Sequence, residues 1–406
     1  MFSCDDFWHG ANVHLYGFWA AQKWYWVNWE GSFIHTFLAT IPHIFVSMNI
    51  VPLFNIAMLV LFIFSVFYFI RVFGVLPKLK SLFIALYLVV IVYSLTRGSS
   101  ELRFWLSANV PYMFGVSSCL LLVSLFHNTN CLTVFSRSLA LILCCLIVDN
   151  KITYILFICF CLLIHLLIYN QKKNLIFIFT AIILFSLFNV FAPGNMVRLN
   201  ENVAQMSIEY LDMIKCVGSR VSTVLSSLPV MMLLLFVLLP EKASPLSISY
   251  SRILLIALVT IAFIVLDSVV MLMCFHDSGP IRTYILPELS VMFLSWLLIR
   301  KIYFNINFEM LPFIKKGFVI VALVWLASLQ ISELLKLDET MLYSEKARIR
   351  NRILEASRKG DFVVLDMLPS SGLLNSYFAN DDVWLQNVYL PYFNKATQCA
   401  IKESEE

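Results

Sequence analysis

Ten long apolar segments restrict this chain to a membrane fold. A helix needs ~20 predominantly apolar residues to cross a bilayer, and several of the segments reach that length. Only 13% of the 406 residues are charged, whereas soluble domains carry roughly 25%. We therefore predict an all-α polytopic membrane protein with a ten-helix transmembrane domain over 50–333. The predicted spans are approximately 50–70, 81–96, 109–127, 132–148, 152–169, 174–191, 217–239, 251–274, 284–299 and 316–333.

The segments on either side of this domain differ from it in composition. Residues 33–49 are apolar, but two histidines and a proline fit an interfacial or re-entrant helix better than a crossing. Residues 1–49 are therefore predicted to be an extracytoplasmic loop with interfacial helices. Charged residues become frequent from about 334, which predicts a small extracytoplasmic α/β tail over 334–406. The tail is either a lid over the outer loops or a passive appendage.

Local patterns predict two elements in this tail. Apolar and basic residues alternate with helical spacing over 343–359, which indicates an amphipathic helix. Residues 362–365 form a short β-branched and aromatic run that is typical of a strand.

The distribution of basic residues predicts which loops share a side of the membrane. Loops rich in lysine and arginine are predicted to be cytoplasmic, and they contain Arg71, Lys78, Lys80, Lys172, Lys173, Arg300, Lys301, Lys315 and Lys316. The other loops are longer and chemically varied, and they are predicted to be extracytoplasmic. They comprise the N-terminal segment, 97–108, 149–151, 192–216, 275–283 and the tail. This assignment requires that 33–49 does not cross.

Two adjacent aspartates in the first outer loop, Asp5 and Asp6, are the candidate catalytic residues. A carboxylate partly buried beside aromatic residues has a raised pKa and suits a general base that deprotonates an acceptor hydroxyl. The alternative is that one aspartate caps the following helix, because aspartate is a favoured N-cap.

Two further outer loops carry candidate substrate contacts. Glu101 and Trp105 are four residues apart and would share a helix face. Glu101 either holds an acceptor hydroxyl or pairs with a neighbouring arginine. Lys151 lies in a three-residue turn, where it either holds a phosphate or only closes the turn.

Arginines stand at the membrane surface in the last two outer loops. Arg198 follows a Pro-Gly-Asn turn, and Arg282 follows a Gly-Pro turn in the loop that begins at His276. Arginine suits bidentate phosphate binding, so these residues, with His276, are predicted to contact the substrate. The alternative for the arginines is snorkelling to lipid headgroups.

The sequence contains no phosphate-cradling glycine-rich motif and no metal-ligand spacing. This argues against an ATP-driven pump and against direct use of a cytosolic nucleotide-sugar. We expect no cofactor and no metal ligands, although assistance by a divalent metal stays open. A net charge of +4 gives no indication of a nucleic-acid partner, and none is expected.

Several short motifs together resemble bacterial multi-pass GT-C-type glycosyltransferases, in particular the O-antigen glucosyltransferase-like group. They are Asp5-Asp6-Phe7, Tyr25 to Gly31, Glu101 to Trp105 with Tyr112, Ala192 to Asn195 with Arg198, Pro280 with Arg282, and Trp384 to Asn387 with Tyr392. In that family a membrane helix precedes the aspartates, so this chain is expected to lack an upstream helix. The segment ending at Gly31 also often continues with Arg, whereas Ser32 follows here.

The resemblance implies a GT-C-like transmembrane helix bundle in a bacterial cytoplasmic membrane, with its active face outside. It implies inverting transfer of a sugar from a polyprenyl-phosphate-linked donor to a cell-envelope glycan or lipid acceptor. The first-loop aspartate would be the base, and the outer-loop arginines would bind the donor phosphate. The expected partners are therefore this lipid-linked donor, the acceptor and membrane lipid.

Two other functions remain open on sequence grounds. An O-antigen polymerase or ligase also has many spans and outer-loop arginines. A polysaccharide or lipid transporter (flippase) would carry polar residues deep inside its spans and internal repeats. Only Asp267 is found well inside an apolar run, and no clear repeat is visible, which favours surface chemistry over conduction.

Overall fold

The structure, a computed structural model, is a bundle of apolar helices with three short helices before it and a small helix–strand tail after it. The all-α polytopic membrane fold predicted from the sequence is confirmed. The structure describes residues 5–29, 31–45, 51–74, 77–96, 102, 106–128, 133–169, 175–197, 200, 210–236, 238, 248–275, 281–305, 311–358, 361–369, 380, 390 and 398–402.

The elements follow one another in three groups. The N-terminal helices are α1 (Asp5–Tyr16), α2 (Phe18–Asn28) and α3 (Phe33–Thr40), followed by a 3-10 helix (Ile41–Phe45). The bundle contains α4 (Val51–Gly74), α5 (Lys78–Leu95), α6 (Leu106–Asn128), α7 (Val134–Val148), α8 (Ile152–Tyr169), α9 (Leu175–Val190), α10 (Tyr210–Leu225), α11 (Leu228–Phe236), α12 (Tyr250–Phe275), α13 (Ile285–Asn305) and α14 (Leu311–Leu334). The tail contains α15 (Leu337–Ala356), β1 (Phe362–Asp366) and β2 (Gln398–Lys402).

Every predicted span coincides with a helix, except that 217–239 is divided between α10 and α11. Among the residues that the structure describes, six stretches are long and apolar enough to cross a membrane: Pro52–Phe73, Lys78–Leu95, Ala108–His127, Ile152–Tyr169, Met213–Phe236 and Tyr250–Met273. Helices α7 and α9 and the apolar part of α14 are shorter. Helix α13 has 21 residues but includes Glu288, Arg300 and Lys301.

The outside of the bundle is apolar, as a lipid-facing surface requires. Leu53, Ile56, Val60 and Phe64 lie on one face of α4 and are all more than half exposed. The opposite side of α4 packs against α6, where Phe62 is fully buried. The core continues through α8 and α12, where the rings of Phe160 and Phe263 stack with centroids 4.9 Å apart.

The break between α10 and α11 falls at Ser226 and Ser227. Both hydroxyls donate to main-chain oxygens three residues back, each at 2.7 Å. Serine hydroxyls compete in this way with the main-chain N–H groups for helix carbonyls. Pro229, which has no N–H, fits the first turn of the next helix because that position needs no main-chain donor. The predicted seventh span is thus a discontinuous helix.

The N-terminal helices pack on one another through a buried tyrosine. Asn12 Nδ2 donates to the Tyr25 hydroxyl at 2.9 Å, and His9 Nδ1 lies 3.1 Å from the same oxygen. The described segment 33–45 is about 20 Å long at helical rise, which is short of the ~30 Å hydrocarbon core. Its length therefore fits the interfacial helix predicted from the sequence.

The tail contains the helix and the strand that its sequence predicts. Strand β1 pairs in parallel with β2, from Phe362 opposite Gln398 to Asp366 opposite Lys402. Val363 and Leu365 are buried while their neighbours along the strand are exposed. Helix α15 packs against β1, so the tail is built around its own small core. The role of a lid stays a prediction.

Candidate functional site

Polar residues from three separate connections meet at one end of the bundle. Asp149 Oδ2 accepts the main-chain N–H of Ile34 at 3.0 Å, and Asp149 Oδ1 accepts from Asn189 Nδ2 at 3.3 Å. Asn195 Oδ1 accepts the main-chain N–H of Gly31 at 3.0 Å. We call Gly31, Asp149, Asn150, Asn189 and Asn195 the amide cluster, because main-chain and side-chain amides form its bonds. The α2–α3 connection, the α7–α8 turn and the segment after α9 are thereby joined.

Glycine at position 31 is required by this close approach. A Cβ there would lie 2.3 Å from the Cβ of Ala192 and 2.5 Å from Asn195 Nδ2, both well inside van der Waals contact. Gly115 in α6 likewise makes room for its neighbours, because an added Cβ would lie 2.6 Å from the Tyr154 ring and 2.8 Å from Asn150 Nδ2. The same Asn150 Nδ2 donates to the Pro111 carbonyl oxygen at 2.7 Å. At both positions the main chain therefore packs closely against neighbouring side chains and leaves no room for a methyl group.

Lys151 stands at the rim of the amide cluster and is partly exposed. Its Nζ lies 3.4 Å from the Tyr112 hydroxyl and 4.8 Å from the centre of the Tyr112 ring. Below it, the Tyr154 hydroxyl donates to the Tyr112 carbonyl oxygen at 2.8 Å. These contacts direct a cationic side chain along the end of the bundle, where it can still meet an anion.

The two aspartates at the chain start lie in the first turn of α1, which begins at Asp5. Carboxylates in a first turn are stabilised by the helix dipole; their side chains lie outside the described residues. One turn on, Trp8 packs against Trp29 with ring centroids 4.8 Å apart. Since Trp29 is two residues from Gly31, the start of α1 lies beside the connection that Asn195 holds.

Four other predicted contacts, Glu101, Trp105, Arg198 and His276, lie outside the described residues. Arg282 is described and is partly buried in the 3-10 helix Ile281–Tyr284 that leads into α13. The structure therefore places Lys151 and Arg282 each at an end of a bundle helix.

A buried ion pair inside the bundle was not predicted. Arg220 Nη2 lies 2.7 Å from Asp267 Oδ2, and both side chains are fully buried. Arg220 also donates to Thr283 through Nη1 to Oγ1 at 3.0 Å and through Nη2 to the carbonyl oxygen at 3.1 Å. The Tyr284 ring covers the guanidinium, with its centre 4.1 Å from Cζ. We call Arg220, Asp267, Thr283 and Tyr284 the arginine cluster.

Asp267 lies well inside an apolar run, as the sequence indicates, but it is not the only buried charge among the described helices. Arg220, the fourth residue of the predicted span 217–239, is also fully buried. Glu288, in the first turn of α13, is also buried, beside a small cavity that Thr96 and Met231 help to line. The cavity has room for about one water. A window average hides a single charge among apolar residues, whereas reading α10 residue by residue would have found it.

We call the end of the bundle that holds the amide cluster and Lys151 the polar end. Tyr154, which bonds the α6 main chain beside Lys151, lies at this end. At the opposite end of α6 and α8, His127 Nδ1 and His165 Nε2 are 3.0 Å apart and pack among aromatic rings.

The N-terminal helices contain a histidine in an unusual environment. Burial, and then the neighbouring His9 and His14, lower the pKa of His43 to about 3. His43 is therefore neutral at neutral pH.

Within the part of the chain that the structure describes, no three His, Cys, Asp or Glu side chains are arranged to hold a metal ion.

Comparison with known proteins finds no relative of this chain. No family model, curated protein or solved structure matches the chain. A functional assignment therefore depends on the clusters themselves.

Proposed function

We propose that this protein is a membrane glycosyltransferase that transfers a sugar from a polyprenyl-phosphate-linked donor to a cell-envelope glycan or lipid acceptor. The reaction takes place at the polar end of the bundle, on the extracytoplasmic face of a bacterial cytoplasmic membrane. One of Asp5 and Asp6 removes the proton from the acceptor hydroxyl, and the sugar is inverted by direct displacement.

One observation carries this proposal: the helix that begins with Asp5 and Asp6 is attached to the same end of the bundle as Lys151. Gly31 and Ile34 are bonded to Asn195 and Asp149, and Lys151 follows Asp149 by two residues. A base and a cation on one surface are what transfer from a phosphate-linked donor needs.

The cations have distinct roles in this reaction. When the sugar leaves, negative charge develops on the lipid phosphate, and a fixed cation lowers the energy of that transition state. Lys151, held against Tyr112, and Arg282, at the entrance to α13, supply this charge. The predicted arginine Arg198 and the predicted contacts Glu101, Trp105 and His276 complete the donor and acceptor sites.

Replacement of the aspartates tests the proposal. Membranes that contain full-length Asp5→Asn or Asp6→Asn protein would be assayed for transfer from a radiolabelled polyprenyl-phosphate sugar. Loss of a general base lowers the rate by about 10²–10⁴-fold, so we expect one variant to lose transfer to that extent. Asp338→Asn, at an exposed position in α15, is the matched control. Normal transfer by both Asp5 and Asp6 variants would rule out the base assignment.

A transporter of lipid-linked saccharides is the second candidate, and the buried Arg220–Asp267 pair favours it. Charged residues inside a membrane bundle and a discontinuous helix are both typical of transport proteins. Flipping of a fluorescent lipid-linked saccharide across proteoliposomes separates the two candidates. Protein-dependent flipping without sugar transfer would support the transporter and contradict the transferase.

A further inference from the structure

Arg220 fixes the main chain at the entrance to α13. Its guanidinium donates to both oxygens of Thr283, at 3.0 and 3.1 Å, and to Asp267 at 2.7 Å. The Tyr284 ring packs on the face of the same group. Three elements, α10, α12 and the turn before α13, are thereby joined through one side chain. A planar guanidinium with several fixed donors is suited to this arrangement.

The turn that Arg220 holds is the one that carries Arg282. Thr283 follows Arg282 directly in the 3-10 helix Ile281–Tyr284. A single 3-10 turn has poor hydrogen-bond geometry of its own, so external bonds to Thr283 determine its conformation. The position from which the Arg282 side chain departs is therefore set by Arg220.

We propose that Arg220 is a positioning residue, which with Asp267 holds this turn so that Arg282 binds the phosphate of a polyprenyl-phosphate-linked substrate. The inference rests on the function proposed above. Arg220 is fully buried and acts on the substrate only through Arg282. Its geometry is required as well as its charge, because a lysine cannot bond Asp267 and both Thr283 oxygens from one planar group.

Phosphate binding by the full-length protein in nanodiscs tests this role, with polyprenyl phosphate as the probe. We expect Arg220→Lys and Arg282→Ala each to raise the Kd for polyprenyl phosphate about tenfold. In both variants the charge-assisted contact between Arg282 and the phosphate is lost, either by displacement of Arg282 or by its removal. Thr283→Val retains the ion pair and loses one bond to Arg220, so it raises Kd in the same direction by less. It also remains informative if Arg220→Lys does not fold. Arg252→Lys, at an exposed position in α12, is the matched control and leaves Kd unchanged.

The double variant decides whether Arg220 acts through Arg282. In the Arg282→Ala background, Arg220→Lys should cause no further loss of phosphate binding, because the group that it positions is already absent. A further loss of about tenfold would mean that the two residues act independently, and would overturn the proposal.

A second measurement does not depend on substrate. Arg282→Cys is labelled with a charged maleimide, and modification at position 282 is followed by peptide mass. We expect Arg220→Lys to change the labelling rate severalfold, whereas Arg252→Lys leaves it unchanged. An unchanged rate with Arg220→Lys overturns the positioning role. If the unmodified protein binds no polyprenyl phosphate, the proposed function fails, while the labelling rates still decide whether Arg220 positions residue 282.

Discussion

Asn195 accepts the main-chain N–H of Gly31 through its side-chain oxygen, at a distance of 3.0 Å. The other end of the same amide donates to the Asn189 carbonyl oxygen at 2.8 Å. Asn195 is therefore a bridge between the N-terminal helices and the end of α9. This bridge gives α1, and the aspartates in its first turn, a defined place on the bundle.

Replacement of Gly31 by alanine should weaken this bridge. The added methyl would meet Ala192 and Asn195 within 2.5 Å, and overpacking of this kind costs about 1–3 kcal/mol. We expect Gly31→Ala to lower the Tm in detergent and to speed protease cleavage near residue 31. Gly218→Ala is the matched control, because nothing lies within 4 Å of its Cβ and alanine favours a helix interior. An equal decrease in Tm for both variants would contradict the close contact.

The helices could be predicted from sequence because their signal is local. Each apolar run is long enough to indicate a membrane helix without knowledge of its neighbours. The bond from Asn195 to Gly31 has no such signal, since it joins residues 164 positions apart. The sequence indicated a turn at 193–195, where the structure instead has helical residues over 193–197. It did not indicate which main chain the Asn195 amide would hold.

The arginine cluster was missed for a different physical reason. A charge in a span is expected to be costly, but burial of Arg220 becomes tolerable only with Asp267 and Thr283 as partners. Asp267 comes from α12, and Thr283 comes from the turn before α13. Pairing therefore depends on how three helices pack, which hydropathy does not describe.

The Arg220–Asp267 pair should be sensitive to removal of one partner. Arg220→Met leaves the Asp267 carboxylate buried without its cation, and breaking a buried pair costs about 3–5 kcal/mol. The double variant Arg220→Met/Asp267→Leu removes both charges and should be more stable than Arg220→Met alone. Thermal unfolding in detergent measures the difference, and Arg252→Met at an exposed site is the control. Asp267→Leu alone completes the comparison. If the double variant loses as much stability as Arg220→Met and Asp267→Leu lose together, direct pairing is contradicted.

The neutral state of His43 predicts a loss of stability in acid. Its pKa is lowered from 6.5 to about 3 in the folded protein, mainly by burial and further by His9 and His14. Above pH 6.5 both states are neutral there, and the contribution is fully present. Between pH 6.5 and about 3 only the unfolded chain binds the proton, so stability decreases by up to about 1.4 kcal/mol per pH unit.

Substitution of His43 should therefore flatten the acid side of the stability profile. We expect the Tm of His43→Gln to fall less between pH 6.5 and 4 than that of the unmodified protein. His14→Gln should retain most of the pH dependence, because His14 has the smallest of the three effects on His43. If His43→Gln keeps the full slope, another group is responsible for it.

Lys151 should matter for substrate more than for stability. Its described contacts are the 3.4 Å approach to the Tyr112 hydroxyl and the contact with that ring, and a cation–π contact at a partly exposed site contributes about 0.5–1 kcal/mol. A charge-assisted bond to phosphate is stronger, so Lys151→Met should lower kcat/KM for the lipid-linked donor about tenfold with a small change in Tm. Transfer assays on membranes, normalised to folded protein, measure this effect.

Two further variants make the test of Lys151 specific. Lys151→Arg keeps the charge and should retain most of the transfer activity. Lys80→Met removes an exposed lysine near the start of α5. It should leave kcat/KM unchanged, because the distribution of basic residues predicts that Lys80 lies on the cytoplasmic side, opposite Lys151. If Lys151→Met transfers sugar normally, the lysine closes its turn without contacting the donor, and the phosphate must be bound by the arginines alone.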